Sequence, residues 1–446
     1  MLLPRRGFRR AVSRAVTVVG IILVILIIAV AFFALSSNVG NTTSSSQSMS
    51  TSSSLTSQTS SSSTTIVQQQ PIVIGMTMPL SGSLATDGTM SLDGLKLWAQ
   101  NVNASGGIYV KSMNGKMPVK LVYYDDASTT ANVASLYPTL VSQGAKFLVA
   151  PYSSGLTLAA APIAEQNHIL MLSHGGASDS IWAKNYNYVV GVLSPGSKYM
   201  IPVIDMLGTL NPKPTNIAMF FGNDAFSLSV MKAAGPYAVS KGFTVAYNQT
   251  YDESASSYTS QLTQIQASGA TVVIGGAHFA DGETIMKGIQ SLGLHFGMVS
   301  LLVAPDDPHF IQDLGGVANA VTVPSQWEAN QEYTSFSPYY GNITSKQFNS
   351  TFTSIFGMVP NYEAAEGYNT GLVLEKAIFD SGSLNSTVVR NQMSTENFWT
   401  FYGNFQIGAS GIQTGHSMVV AQWQSGTKQT IWPTAVASAK PVFPAP

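Results

Sequence analysis

The side chains best suited to chemistry are too scattered in this sequence to form a reaction centre. Its six histidines, His168, His174, His278, His295, His309 and His416, include no i, i+4 pair and no His-Glu-x-x-His, the spacing that aims two imidazoles at one zinc. Lone loop histidines of this kind are ordinarily surface groups. There is no Gly-x-Ser-x-Gly elbow, no phosphate loop ending in Gly-Lys-Ser/Thr, and no Gly-x-Gly-x-x-Gly after a strand-like run. Cysteine is absent, which removes thiolate nucleophiles, thiolate metal sites, disulfides and lipidated-cysteine anchors together. Asp125 and Asp126 could form a metal or acid–base pair, but neighbours on a strand diverge, so they read as caps for the following helix. The pattern argues against an enzyme and calls for no cofactor or metal. What remains is a set of polar, uncharged loops suited to holding a small solute by hydrogen bonds inside a closing cleft.

Such loops need rigid elements behind them, and the sequence supplies two sets. Strand-like Ile72–Ile74 precedes a helix whose apolar positions Leu92, Leu95, Ala99 and Val102 step by three and four, ended by Gly106 and Gly107. Strand Val119–Tyr124, a helix closing near Gly144, strand Phe147–Ala150, a helix over Leu156–Gln166 and strand Ile169–Leu172 continue the rhythm. A second set follows Ser194–Gly196: strands Ile217–Phe221, Phe243–Tyr247, Thr271–Ile274 and Met298–Val303. Its helices carry Phe226, Val230, Ala233 and Tyr237, then Tyr258, Leu262 and Ile265, then Ile285, Ile289 and Leu292. From Gln326 the pattern is irregular and Tyr-rich, with a helix at Tyr368–Phe379 and strands Phe401–Ile407 and Ser417–Trp423. Short strands alternating with helices give an α/β fold of two doubly wound parallel-sheet lobes. In such sheets ligands sit beyond the carboxyl ends of the strands. The loops to watch are Pro79–Gly88, Asp125–Thr130, Pro151–Gly155 and Ser173–Ser178 in the first lobe, with Gly222–Ser227, Gly275–Asp281 and Ala304–Pro308 in the second.

The N-terminus sets the compartment. Arg5, Arg6, Arg9, Arg10 and Arg14 precede a charge-free apolar run, Ala15–Leu35, which at about 1.5 Å per residue is long enough for a hydrocarbon core of about 30 Å. The arginines belong in the cytoplasm, so residues 1–14 read as a cytoplasmic basic segment, 15–35 as a transmembrane anchor and 36–70 as a disordered Ser/Thr-rich linker. This makes the chain a single-pass protein of the cell membrane with its C-terminal bulk outside; the alternatives, a cleaved secretory signal or a twin-arginine export signal at Arg5-Arg6-Gly7-Phe8, also leave the product extracytoplasmic. Net charge is −1 and only 10% of residues are charged, against about 25% ordinarily. Nucleic acid is excluded as a partner. So few carboxylates predict a fold that depends weakly on pH, as suits an acidic exterior.

The motifs, taken in order, carry a resemblance. Ile74-Gly-Met-Thr-Met-Pro-Leu-Ser-Gly82, Asp93-Gly94 and Asn103-Ala-Ser-Gly-Gly-Ile108 resemble the opening of the leucine/isoleucine/valine-binding family of ABC transporter solute receptors, the type I periplasmic-binding-protein fold. Pro151–Gly155 and Ile169–Gly176 resemble its next loops. Ser325–Trp327, Tyr362–Tyr368, Phe401–Gly403 and Met418–Trp423 are similar to the C-terminal half of an amino-acid- or amide-binding branch. The resemblance implies that Ser154, with neighbours Tyr152 and Ser153, holds a ligand carboxylate at a helix N-terminus. It implies that backbone groups near Gly175, Gly176 and Ser178 complete that site, Ala177 standing where branched-chain receptors have threonine. Phe226 corresponds to the aromatic that covers the ligand, His278 lies where tyrosine is frequent, and Trp327 and Tyr362 are candidates for walls. The family's acidic partner for a ligand ammonium falls near Val303 and Ala304, the nearest acids being Asp306 and Asp307. Without that carboxylate a buried ammonium would go unpaired, which makes amides and carboxylic acids rivals to amino acids.

The resemblance implies lobe 1 over 71–195 and 326–417 and lobe 2 over 196–325 and 418–436, joined by three crossovers near Ser194–Gly196, Pro324–Gln326 and Ser417–Met418. The partners expected are a small solute, an ABC permease with its ATPase subunits, and the membrane. A ligand-sensing ectodomain is the first alternative, although only a short segment precedes the anchor. A surface hydrolase would need a nucleophile–base pair in the cleft, and an adhesive stalk protein would have no cleft.

Overall fold

The computed structural model describes residues 70–337 and 341–446. The basic segment, the apolar run and the Ser/Thr tract up to residue 69 lie outside the described residues. Among the described residues no helix is long and apolar enough to cross a membrane.

Strands β1 (Ile72–Met78), β2 (Val119–Asp125), β3 (Phe147–Val149), β4 (Met171–Ser173) and β5 (Val189–Gly191) form a five-stranded sheet in the order β2-β1-β3-β4-β5, all parallel. The second sheet repeats that order with β6 (Asn216–Gly222), β7 (Thr244–Tyr251), β8 (Val272–Gly276), β9 (Met298–Leu301) and β10 (Thr322–Ser325), running β7-β6-β8-β9-β10. Two antiparallel strands, β11 (Val419–Gln424) and β12 (Thr427–Trp432), extend it beyond β10. Alternating side chains cover both faces of each sheet. On β6, Ile217, Met219 and Phe221 join one apolar cluster while Ala218 and Phe220 join another.

The longer helices are α1 (Ala85–Ala104), α2 (Thr130–Ser142), α3 (Ser154–Gln166), α4 (Ala225–Ser240), α5 (Thr259–Ala267), α6 (Phe279–Ser291), α7 (Ser345–Phe356), α8 (Tyr362–Ser381) and α9 (Ser386–Met393). The closest helix packing is between α1 and α8, where glycine is required. A Cβ on Gly94 would fall 1.9 Å from the Ala364 carbonyl oxygen, and one on Gly367 2.1 Å from that of Ser91. This backbone-to-backbone approach leaves α8 buried over nearly its whole length.

The chain passes between the sheets three times, after β5, after β10 and before β11, and the passages are bonded together. Ser194 N donates to Gln326 Oε1 and Gln326 Nε2 donates back to the Ser194 carbonyl, both at 3.2 Å. His416 Nε2 lies 2.8 Å from the Gln326 carbonyl oxygen, and Ser194 Oγ donates to the His416 carbonyl. These bonds tie the three connections into one hinge, about which the sheets on either side can move as rigid bodies once rim contacts such as Ser229 Oγ to Asp179 are broken.

Several local expectations need correction. The stretch Phe401–Ile407 is not a strand: Phe398–Trp399 pairs with Asn404–Phe405 in a two-residue hairpin. Thr400 Oγ1 takes the Tyr402 and Gly403 amides and turns the chain between them. On α4 the buried stripe is Phe226, Val230, Ala234 and Ala238, one residue on from the expected Ala233 and Tyr237. Helix α8 starts at Tyr362, earlier than Tyr368, because Asn361 caps it by accepting from Ala364 N. Helix α2 is capped by Thr129 instead of Asp125 or Asp126. Asp125 accepts from Leu80 N, Ser81 N and Ser81 Oγ, and Asp126 accepts from Thr77 Oγ1. The acids therefore brace the loop after β1.

Candidate solute-binding cleft

The carboxyl ends of both sheets face one cavity. It is lined by Tyr152 after β3, Gly175 and Ala177 after β4, Leu193 and Tyr199 from the first passage, Phe226 at the head of α4, His278 after β8, Val303 after β9, and Tyr362 and Glu366 on α8. The lobes meet closely there, leaving about 10 Å³ for the centres of water-sized guests, roughly one water. Anything larger requires the lobes to separate.

The rims are latched through His278, which is 5% exposed. Its Nδ1 is 2.9 Å from Tyr152 Oη across the cavity, and its Nε2 stands 3.8 Å from Asp224 Oδ1 within lobe 2, an ion pair and not a hydrogen bond. Burial opposes charge on His278, but Asp224, with Asp87 and Asp281 behind it, outweighs that and lifts the imidazole to about 9. Burial likewise opposes the Asp224 charge, and the partnership with His278 and Ser227 overrides it, holding the carboxyl near 2. A cationic His278 donates to Tyr152, a charge-assisted bond. Tyr199 and Phe226 meet edge to face at 4.9 Å and close the apolar side.

The sequence-based candidates divide. Tyr152, Gly175, Phe226, His278 and Tyr362 line the cavity. Ser154 lies behind them, fully buried, its Oγ accepting from Ala177 N and Ser178 N at 3.0 Å each. The amides that a ligand carboxylate would seek are thus already bonded within the protein. Gly176 N goes to Ser173 Oγ, and Ser178 caps the short helix Asp179–Trp182 by accepting from Ser180 N. Ser153 precedes α3 without a side-chain cap bond. Trp327 is not brought to the cleft. It fills the core of lobe 1, where Nε1 donates to Ser345 Oγ at 3.1 Å and the ring abuts Phe348 and Phe401, because an indole that finds a buried acceptor is anchored by both ends.

The acids near the second-lobe loop are committed. Asp306 binds Lys428 Nζ at 2.6 Å and accepts from Tyr362 N, and Asp307 caps the following turn and contacts His309 and Asn361. Other carboxylates were not anticipated. Neither Asp87 carboxylate oxygen nor either of Glu363 has a hydrogen-bond partner, Glu366 Oε1 has none, and all three residues are at most 1% exposed. Burial raises Asp87 to about 7 against the pull of His278. It pushes Glu363, further repelled by Asp87 and Asp306, and Glu366, despite the nearby Tyr402, well above the usual carboxylate range. Buried carboxyls raised in this way run against the expectation of weak pH dependence. His174, expected at the surface as a lone loop histidine, is fully buried as well.

Leu193, Tyr199 and Glu366 were missed as cavity residues. A signal for Glu366 existed: Glu363 and Glu366 stand one turn apart among Ala, Gly and Tyr in a chain with few acids, and small neighbours mark a tightly packed helix. No local pattern points to Tyr199.

A model of the family described as periplasmic binding protein matches residues 71–428. The Leu/Ile/Val-binding protein homolog 7 of Brucella abortus (strain 2308) is 20% identical over 380 residues, covering 82% of this chain and 92% of its own. A leucine binding protein of Thermotoga maritima superposes with a TM-score of 0.70 at 18% identity, over 80% of this chain and 97% of that one. The branched-chain amino acid transporter substrate binding protein of Streptococcus pneumoniae, solved with isoleucine, gives 0.69 at 18% identity, over 82% and 100%. At these identities the structural likeness speaks to the fold. With most of its length matched by the family model, the chain belongs to the periplasmic binding protein family.

Proposed function

We propose that the chain is the extracytoplasmic solute receptor of an ABC importer, held to the membrane by Ala15–Leu35 and binding a small organic solute between its lobes. The observation that carries the reading is a cavity built from both lobes at the strand carboxyl ends and shut by the Tyr152–His278 bond. Solute enters when the lobes part about the Ser194–Gln326–His416 connections. Contacts made with both lobes at once are available only on closing, so binding energy shifts the population toward the shut form. A permease with its ATPases reads that form and takes the solute. The receptor itself carries out no reaction.

The test is calorimetric titration of the full-length chain with a panel of amino acids, amides, amines and short acids, followed by small-angle scattering with and without the best ligand. Saturable binding that shrinks the radius of gyration and is abolished by Phe226→Ala supports the reading. Binding that survives Phe226→Ala and leaves the scattering unchanged refutes it.

A further inference from the structure

We propose that the solute presents an alkylammonium group to Glu366, inside a cage of Tyr152, Tyr199, Phe226 and Tyr362, and that it lacks the carboxylate of an amino acid. This deepens the solute-receptor reading and rests on it.

The geometry shows an imbalance between the two halves of the site. On the anion side, the Ala177 and Ser178 amides are spent on Ser154 Oγ, and Gly176 N on Ser173 Oγ. On the cation side, Glu366 lines the cavity with Oε1 unpartnered, and Glu363, one turn before it on α8, is buried with both oxygens unpartnered. Asp87 on α1 adds a third such carboxylate. The positive charge of His278 is taken up by Asp224, and that of Lys428 by Asp306 and Glu328, so neither serves Glu366. Buried acceptors without donors are costly, and a guest bringing N–H donors and a positive charge satisfies them. The walls agree, since aromatic faces attract ammonium groups through the ring quadrupole.

The titratable groups facing Glu366 are Tyr199 and Tyr402 from other elements and Glu363 on its own, with His416 stacked on Tyr402 at 4.7 Å. These carry no positive charge at neutral pH, burial depressing His416 to about 4; His278, the cation on the far wall of the same cavity, is paired with Asp224. Glu366 therefore holds its proton until a cation arrives and then releases it, so amine binding strengthens as pH rises.

Calorimetry on the full-length chain at pH 7, in two buffers of different ionisation enthalpy, tests this with n-butylammonium, tetramethylammonium, leucine, valeramide and valerate. The expected result is an alkylammonium bound about tenfold or more tighter than leucine, with release of about one proton. Glu366→Gln should weaken the amine about tenfold or more and leave the melting temperature no lower. If leucine, valeramide or valerate binds as tightly as the amines, or amine binding releases no proton, the inference falls while the cleft reading stands. If no probe binds, both fall.

Discussion

Replacing Asp87 by asparagine should stabilise this protein at neutral pH and do little at pH 4. The carboxyl is fully buried with no donor at hydrogen-bond distance, and burial raises it from 3.8 to about 7 against the weaker pull of His278 and Tyr152. Between those values the folded chain binds more protons than the unfolded one, so stability falls as pH rises from about 4 to 7 and stays lower above it. At about 1.4 kcal/mol per decade of pH, the interval amounts to about 4 kcal/mol once Asp87 is ionised, net of its attraction to His278. Asparagine removes the titration and with it the loss. Urea unfolding of wild type and Asp87→Asn at pH 4, 5, 6 and 7 measures this directly. The expected difference grows with pH toward a few kcal/mol in favour of the variant. A variant equally stable or less stable at every pH would refute the reasoning, because it would mean that Asp87 has a partner when ionised. Asp126 and Asp281, each raised to about 6 mainly by burial, act in the same direction in the wild type. The difference between the two proteins isolates Asp87.

Tyr152→Phe removes the cross-cleft bond to a charged His278, worth about 1.5–3 kcal/mol; scattering should show a larger radius of gyration for the free protein, and solute should bind about tenfold or more weakly. Gly94→Ala puts a methyl against the Ala364 carbonyl and should cost about 1–3 kcal/mol in urea unfolding as α1 and α8 are forced apart. Trp327→Ala empties the lobe 1 core and should cost about 3–5 kcal/mol, while Trp327→Phe, which keeps most of the packing, should leave solute affinity unchanged because the ring does not reach the cleft.

Hydrophobic rhythm made the two sheets legible, because a parallel strand buried on both faces leaves short apolar runs such as Phe147–Val149 that need little context to read. Loops at strand ends followed from topology, and within them the family resemblance picked out Tyr152, Gly175, Phe226 and His278. What escaped had a different physical cause. Tyr199 reaches the cavity from a passage between the sheets, so its position depends on how the lobes are disposed and not on local periodicity. Trp327 looked like a wall because it sits at a passage, yet one hydrogen bond to Ser345 draws it inward. Helix α7 is amphipathic, but it follows a short hairpin in a Tyr-rich region where no strand rhythm announces it.

The buried acids explain one another's placement. Asp306 shows what a structural carboxylate looks like here: Lys428, Ser325 and the Tyr362 amide meet its oxygens, so its charge is compensated without a guest. Asp87, Glu363 and Glu366 lie at the same end of the lobes with carboxylate oxygens that no donor meets, His278 acting on Asp87 only through space. A core of similar volume made from leucine or methionine would be more stable, and the close approach of α1 to α8 runs through Gly94, Gly367 and Gly371, not through these three acids. Their cost in the empty protein becomes a gain when a donor-rich cation enters, because one ligand relieves unmet acceptors and supplies the missing charge together. A site built this way discriminates strongly, since a neutral analogue leaves the same carboxylates unpaired.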